Sequence, residues 1–245
     1  MNEQIVLLYE SDACIVVNKR CGEAMEGASG SVLDLPALLA KTYGTACNRD
    51  GKPFAPTAVH RLDVPVTGCA LFARNPQALA FLNEVFAQGL ARKVYWAIVE
   101  KPENSSIAIS QQGELVHWIA VDSKHNKSYA HTEEAPDRKQ AVLRYRLVGE
   151  GEHYLFMEIE LITGRHHQIR AQLASVGLHI KGDLKYGSRR SEKNGGIRLH
   201  ARSLAFPDPL SGETNPAKRP YIQVVAPIIE PDRLWQDFEK ASLAF

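Results

Sequence analysis

The chain has 245 residues, of which 44% are hydrophobic and 23% are charged, and its formal net charge is +1. This composition can bury a core, so it excludes a disordered chain, and the neutral balance excludes a uniformly basic nucleic-acid-binding domain. Residues 1–4 show no secretory signal and no apolar stretch approaches the roughly 18 residues of a membrane span, so a soluble cytoplasmic protein without a membrane partner is expected.

The first elements in chain order are predicted from short apolar runs and turn residues. β-Branched runs predict strands at residues 5–9 and 14–17, joined by a polar turn. Residues 22–30 and 48–56 are rich in turn formers and are predicted as loops, with a helix between them at residues 33–43.

A second helix is predicted to begin at Asn75 and Pro76 and to end before Gly89, because Asn is a good helix cap and Pro fits the first turn. Further strands are predicted at residues 94–99, 154–162, 197–206 and 221–225, with a short helix at 168–176 and a last amphipathic helix from Pro231.

Strands outnumber helices and do not alternate regularly with them. The sequence therefore predicts an α+β fold with a mixed, largely antiparallel central sheet flanked by helices. One domain over residues 1–245 is expected, with a possible insertion or hinge at the polar stretch 122–138.

Two local compositions bear on ligands. The four cysteines, Cys14, Cys21, Cys47 and Cys69, have irregular spacings without a C-x-x-C pair, so neither a zinc site nor a disulfide framework is predicted. Residues 165–202 hold nine Lys or Arg against two acidic residues. This local excess favours a polyanion on one face, although a solvated basic surface would have the same composition.

Three segments carry groups capable of catalysis. His60-Arg61-Leu62-Asp63 precedes an apolar strand that can hold the Asp63 carboxylate rigidly, although an Asp in such a place more often caps a turn. Residues 163–170 supply arginines that can pair with a carboxylate and lower its pKa. A purely structural ion pair would have the same sequence pattern. Tyr95, on a strand after two cations, can stack on a base, move a proton, or simply pack in a core.

Together these segments resemble the RluA family of pseudouridine synthases. The similar motifs appear in order as residues 8–10 and 16–19 (L-Y-E, V-V-N-K), 60–68 (H-R-L-D to T-G), 93–95 (K-V-Y), 164–170 (G-R-H-H-Q-I-R), 182–187 (G-D-L-K-Y-G) and 199–201 (L-H-A). The resemblance implies the pseudouridine synthase catalytic fold, and a reaction that isomerises a specific uridine in tRNA or rRNA after flipping it from its helix. The implied reaction has no redox or hydrolytic step, so no cofactor is expected. No metal is expected either, and a monomer without an obligate protein partner is the default expectation.

The resemblance also assigns roles. Asp63 would be the catalytic nucleophile, Tyr95 would aid proton removal beneath the base, and Arg170 would pair with Asp63. Substrate binding would fall to Arg61, which enters the helical stack, to Leu199, which walls the uracil pocket, and to His60, Arg165 and His167.

Some positions depart from the family pattern. Val66-Thr67-Gly68 stands where many members have Thr-Ser-Gly, Arg20 follows Lys19 where Pro is usual, and Asp208 stands where His-Pro is usual. These departures bear on substrate preference. About four residues precede the first predicted strand, so the small N-terminal RNA-binding module of many relatives is not expected.

Three alternatives remain open at this level. A non-catalytic RNA-binding or chaperone protein could use the same scaffold, but the groups at Asp63, Tyr95 and Arg170 are all present. A glycoside or nucleoside hydrolase would usually need a second carboxylic acid, and none is near these motifs. A metal enzyme would have to use His166 and His167, which are adjacent on a predicted helix start and do not face one ion.

Overall fold

A computed structural model describes residues 5–27, 33–47, 51–102 and 109–243. The expectation for residues 1–4, and the parts of the predicted loops at 28–30 and 48–50, lie outside the described residues. The described helices include none that is long and apolar enough to cross a membrane.

The elements of the first hundred residues are β1 (Leu7–Glu10), β2 (Cys14–Lys19), β3 (Glu23–Ala24), β4 (Leu33–Asp34), α1 (Leu35–Tyr43), β5 (Ala46–Cys47), β6 (Pro53–Phe54), β7 (Thr57–Ala58), β8 (Thr67–Ala73), α2 (Pro76–Ala87) and β9 (Arg92–Glu100). The later elements are β10 (Gln112–Asp122), β11 (Lys127–His131), β12 (Lys139–Glu150), β13 (Tyr154–Leu161), α3 (Gln168–Ser175), β14 (His179–Ile180), β15 (Leu199–Pro207), β16 (Tyr221–Val225) and α4 (Arg233–Ser242). Single 3-10 turns lie at Leu184–Tyr186 and Pro216–Lys218.

The predicted fold class is confirmed, because the strands in the described part of the chain pair mainly antiparallel and four helices accompany them there. The predicted helices and strands also occur, with ends that shift by up to two residues. Strands β10, β11 and β12 were not predicted. Their sequences mix polar and apolar residues, and the stretch at 122–138, expected as an insertion or hinge, contains the β10–β11 hairpin turn and β11 itself.

The chain forms two compact units. The first comprises Met1–Lys93 with Ala201–Pro227, and the second comprises Val94–His200 with Ile228–Phe245. The chain therefore enters the second unit within β9, leaves it within β15, and returns to it at Ile228.

In the first unit, the sheet has the order β1-β2-β8-β15, with β7 beside β8 and β16 beside β15. All six residues of β2 are buried, as expected for a central strand covered on both faces. Asn75 caps α2 by accepting from the Ala78 N–H at 2.8 Å. Leu82 and Val85 of α2 are fully buried in the core that this sheet forms, and burying each contributes about 1.5–3 kcal/mol.

In the second unit, the sheet has the order β9-β13-β12-β10-β11, antiparallel throughout, with β14 beside β9. Helix α4 packs Trp235 and Phe238 into a core with Trp96, whose ring stacks on Phe238 at 4.6 Å. Asp232 caps α4 at the Trp235 N–H and also accepts from Arg198. One carboxylate thus fixes both the start of α4 and its attachment to the unit.

Candidate functional site

Asp63 lies in the loop between β7 and β8 of the first unit. Leu62 before it is buried, with 7% of its surface exposed, while Arg61 is exposed and Asp63 is half-buried. The carbonyl of Asp63 accepts from the Val66 N–H at 2.9 Å, which closes a turn over the intervening Val-Pro. A buried leucine and a closed turn therefore fix the backbone on both sides of the carboxylate.

A buried lysine holds this loop. Lys19, at the end of β2, is 0% exposed, and its ammonium donates to the carbonyls of Val66 at 2.7 Å and Val64 at 3.0 Å. Burial lowers the pKa of Lys19 to about 8, against the opposing influence of Glu23, Cys21 and Asp63. Below that pH the group is a cation that ties the Asp63 loop to the central strand, a role the sequence analysis did not assign.

His60 fastens the other end of the loop. Its Nε2 accepts from the Leu71 N–H of β8 at 3.2 Å, and its ring stacks on Phe86 of α2 at 5.3 Å. Burial, with a smaller contribution from Lys93, lowers the pKa of His60 to about 3, so the imidazole is neutral at physiological pH. The substrate-binding role expected for His60 stays a prediction, and these contacts favour a supporting role.

The position after Thr67 requires a glycine, Gly68. Its φ is +111°, a conformation that side-chain-bearing residues rarely adopt. A Cβ placed there would lie 2.7 Å from the backbone nitrogen of Ala201 and 2.8 Å from its carbonyl carbon. The glycine thus permits the close approach of β8 to β15 immediately after the loop.

In the second unit, Arg170 of α3 is held by Asp183. The Arg170 Nε and Nη2 donate to the two carboxylate oxygens at 2.6 and 2.8 Å, and the two side chains are only 6% and 1% exposed. The guanidinium carbon also lies 4.9 Å from the centroid of the Tyr186 ring. Asp183 and Tyr186 fix the orientation of the arginine, and only the G-D-x-x-Y-G pattern marked them in the sequence.

His167 and Tyr186 connect this arginine to β11. His167 is buried with φ +50°, and its Nδ1 is 3.0 Å from the Tyr186 hydroxyl, which also accepts from the Ser128 N–H at 2.8 Å. The adjacent His166 stacks on His167 at 3.9 Å and reaches the Ser128 hydroxyl at 2.9 Å. Within the described residues, no group of three or more His, Cys, Asp or Glu side chains is arranged to hold a metal ion.

The remaining expected residues also have defined places. Tyr95 lies in β9 opposite Ile159 of β13 and is 6% exposed, and Leu199 at the start of β15 is 3% exposed. Arg165 is exposed, and its Nε donates to the Gln140 carbonyl at 2.9 Å. The substrate-binding roles of Arg61, Arg165, His167 and Leu199 stay predictions.

The expected catalytic residues divide between the two units. Asp63 belongs to the first unit, whereas Tyr95 and Arg170 belong to the second. The predicted pairing of Arg170 with Asp63 stays a prediction, and the structure adds Asp183 as a partner of the arginine that the sequence analysis missed.

The basic segment at residues 165–202 is partly compensated by acidic residues of the second unit. Four of its nine cations form ion pairs, namely Arg170 with Asp183, Lys181 with Glu192, Arg189 with Glu100, and Arg198 with Glu192 and Asp232. The local excess of charge that suggested polyanion docking therefore has in part a structural explanation.

Comparisons with known proteins agree on one family. The family model for RNA pseudouridylate synthase matches residues 13–175. An uncharacterized RNA pseudouridine synthase of Bacillus subtilis, YlyB, is 28% identical over 225 residues, which are 91% of this chain and 71% of the relative. The ribosomal large subunit pseudouridine synthase C of Rickettsia felis is 32% identical over 215 residues, 84% of this chain and 64% of the relative.

A solved structure has the same fold. The human RNA pseudouridylate synthase domain containing 4 aligns with a TM-score of 0.67 and 20% identity, over 97% of this chain and 93% of that one.

Proposed function

Since this chain belongs to the RNA pseudouridylate synthase family and is an RNA pseudouridine synthase of the RluA type, we propose that Asp63 is its catalytic nucleophile toward a uridine flipped out of an RNA helix. The observation that carries the proposal is the anchoring of the Asp63 loop by Lys19 and His60. A nucleophile has to be held at a fixed position relative to the reacting carbon, and a loop bonded at both ends provides this.

The isomerisation requires little more than an anionic group and a proton transfer. The N1–C1′ bond of the uridine breaks, the uracil turns, and its C5 bonds to C1′; C5 then loses its proton and N1 gains one. A carboxylate can assist by attacking C1′ of the ribose, by attacking C6 of the uracil, or by acting as a base at the sugar, and each route needs the ionised form of Asp63. Neither oxidation nor hydrolysis takes place, so the proposed reaction uses no cofactor.

We assign the remaining roles to the second unit. Tyr95 would assist removal of the C5 proton, since its phenol stands on a strand, β9, whose following residues 96–100 are all buried. Arg170 would supply a fixed positive charge for the Asp63 carboxylate. The support for this role is that Asp183 and Tyr186 hold the guanidinium in one orientation in a site that is almost fully buried.

The proposed substrate is a uridine in tRNA or ribosomal RNA. The relative in Rickettsia felis is named for the large ribosomal subunit, which favours ribosomal RNA without defining the position. Flipping a nucleotide costs a few kcal/mol, so a loop or bulge where stacking is already weak is the favoured context. Arg61, exposed beside the buried Leu62, is suited to fill the vacated space in the stack.

We further propose a monomer that acts in the cytoplasm without an obligate protein partner. Cys14 and Cys69, both buried, form no disulfide in the structure, as suits a reducing compartment. Gel filtration with light scattering gives the mass directly, and a mass of about one chain supports the monomer.

The alternative is a protein that binds RNA through this scaffold without catalysis. The two readings differ in what a cell lacking the gene shows. If the chain is the proposed enzyme, mapping pseudouridines across its RNA reveals one or a few lost sites, which the wild-type gene restores and an Asp63→Asn gene does not. Restoration by the Asp63→Asn gene, or no lost site, favours the non-catalytic reading.

A further inference from the structure

We propose that the tip of the β10–β11 hairpin and the adjoining turn at Leu184–Tyr186 form a docking face for the phosphate backbone of the RNA, an inference that rests on the proposed function. The hairpin face is defined by Lys124, Lys127 and Lys185, with Tyr129 beside them. All four belong to the second unit.

The lysines of the hairpin face differ from the cations of the same unit that form ion pairs. In the part of the chain that the structure describes, no carboxylate lies within 4 Å of the ammonium groups of Lys124, Lys127 or Lys185. Lys181 and Arg198, by contrast, are paired with carboxylates. Positive charge that is not compensated locally creates the potential that attracts a polyanion.

The acidic residue next to the hairpin turn, Asp122, contacts His125 of the turn. Asp122 accepts from the backbone N–H of His125 at 3.1 Å, and its second oxygen is 2.6 Å from the His125 ring nitrogen. Its carboxylate is therefore directed at the turn, and it forms an ion pair with His125 and not with Lys127, which lies opposite it in the hairpin.

Two of the lysines are already ordered. Lys185 donates to the Asn126 carbonyl at 3.0 Å, which joins the Leu184–Tyr186 turn to the hairpin tip. The Lys127 ammonium lies 5.3 Å from the ring centroid of Tyr129 and 5.2 Å from that of Tyr186. Because these contacts hold the side chains in the free protein, less conformational entropy is lost when phosphates bind.

The face offers a stacking surface as well. Tyr129 lies in β11, the edge strand of the sheet, and 44% of its surface is exposed. An exposed aromatic ring beside cations is the combination with which proteins bind single-stranded segments, since the ring stacks on a base and the cations bind the phosphates.

The hairpin face is linked within the second unit to Arg170, one of the residues proposed for catalysis. The Tyr186 ring contacts both Lys127 and the Arg170 guanidinium, and its hydroxyl accepts from the Ser128 N–H of β11. RNA bound at the hairpin would thus run next to the segment that orients Arg170.

The test measures the salt dependence of RNA affinity. The triple variant Lys124→Gln, Lys127→Gln, Lys185→Gln is compared with wild type on a stem–loop RNA of 25 nucleotides with uridines in its loop. Three lost phosphate contacts reduce the slope of log affinity against log salt by about 2, at roughly 0.7 per contact for single strands. The ratio of wild-type to variant RNA affinity then falls roughly 15- to 20-fold between 50 and 200 mM salt.

The control removes the same charge elsewhere. Lys41, Lys218 and Lys240 are also exposed, and Lys41→Gln, Lys218→Gln, Lys240→Gln has the same net charge as the test variant. The proposal predicts a slope near that of wild type for this control. Equal slopes for the two triple variants, or a wild-type slope in the test variant, would refute the proposal that the hairpin face binds the RNA backbone.

A separate readout distinguishes failure of this proposal from failure of the proposed function. Pseudouridine formation by wild type and by Asp63→Asn is measured on the RNA identified by mapping. If wild type is active while the hairpin variant keeps the wild-type slope, the docking face alone is wrong. If wild type and Asp63→Asn are equally inactive, the proposed function is wrong, whatever the slopes show.

Discussion

Replacing Asp183 by Asn tests whether a buried ion pair holds the arginine of the proposed site. The change keeps the size and shape of the side chain but removes the negative charge that faces the Arg170 guanidinium, whose side chain is only 6% exposed. Removing one partner of a buried pair typically costs about 3–5 kcal/mol, because the remaining charge is neither solvated nor compensated. We expect Asp183→Asn to lower the free energy of unfolding by this amount.

The second unit contains a matched control. Arg144 and Glu114 form a pair with a similar Nε-to-carboxylate distance of 2.9 Å, but their side chains are 60% and 44% exposed. Water solvates each partner there, so Glu114→Gln is expected to change the stability by no more than about 1 kcal/mol. The two variants thus share their chemistry and differ mainly in burial.

Urea unfolding followed by tryptophan fluorescence measures both variants. Trp96 and Trp235 lie in the core of the second unit and report its unfolding. Under native conditions Asp183→Asn should also slow pseudouridine formation, because Arg170 loses the bidentate contact that orients it. A loss of stability no larger than that of Glu114→Gln, together with the wild-type rate, would refute the assignment of Asp183 as the residue that fixes Arg170.

Three further changes test the anchoring of the Asp63 loop. Lys19→Met removes the ammonium from the loop carbonyls and should lower the single-turnover rate roughly 10- to 100-fold with RNA affinity unchanged, whereas a wild-type rate would leave Lys19 without a positioning role. Gly68→Ala should lower the free energy of unfolding in urea by about 2–6 kcal/mol, because the residue has a positive φ and its Cβ would meet the Ala201 backbone. Gly89→Ala is the control: its φ is also positive but the space around it is open, so it should cost only about 1 kcal/mol. Equal costs would contradict the close approach of β8 to β15. The folded pKa of His60, about 3, lies below its unfolded value, so its contribution to stability is complete above about pH 6.5 and is lost as the pH falls toward 3. His60→Gln should therefore remove about 2 kcal/mol of the difference in unfolding free energy between pH 7.5 and pH 5. A His60 imidazole NMR signal that titrates near pH 6.5 would contradict this.

The sequence was sufficient for the fold class and for elements with strong local signals. Asn75 followed by Pro76 marked the start of α2, and the apolar run of β2 marked a central strand. The β10–β11 hairpin was missed because β11 is an edge strand of mixed polarity, Lys-Ser-Tyr-Ala-His, whose pairing with β10 is not visible in its own residues.

The site was predicted less completely than the fold. Motifs named Asp63, Tyr95 and Arg170, but the groups that hold them are distant in sequence. Lys19 reaches the carbonyl of Val66, 47 residues away, and the partner of Arg170 is on a turn 13 residues later. Such contacts depend on the fold, and a lysine after an apolar run is usually read as the exposed end of a strand.

Release of tritium from RNA labelled at C5 of uridine is the most direct measurement of the central claim. Bond formation at C5 displaces the hydrogen there, so each turnover releases one label into water. With purified protein and the RNA identified by mapping, wild type should release tritium, while Asp63→Asn should release none and keep its RNA affinity within a few-fold. Wild-type release by Asp63→Asn would contradict the account, because a carboxamide cannot serve as the anionic nucleophile.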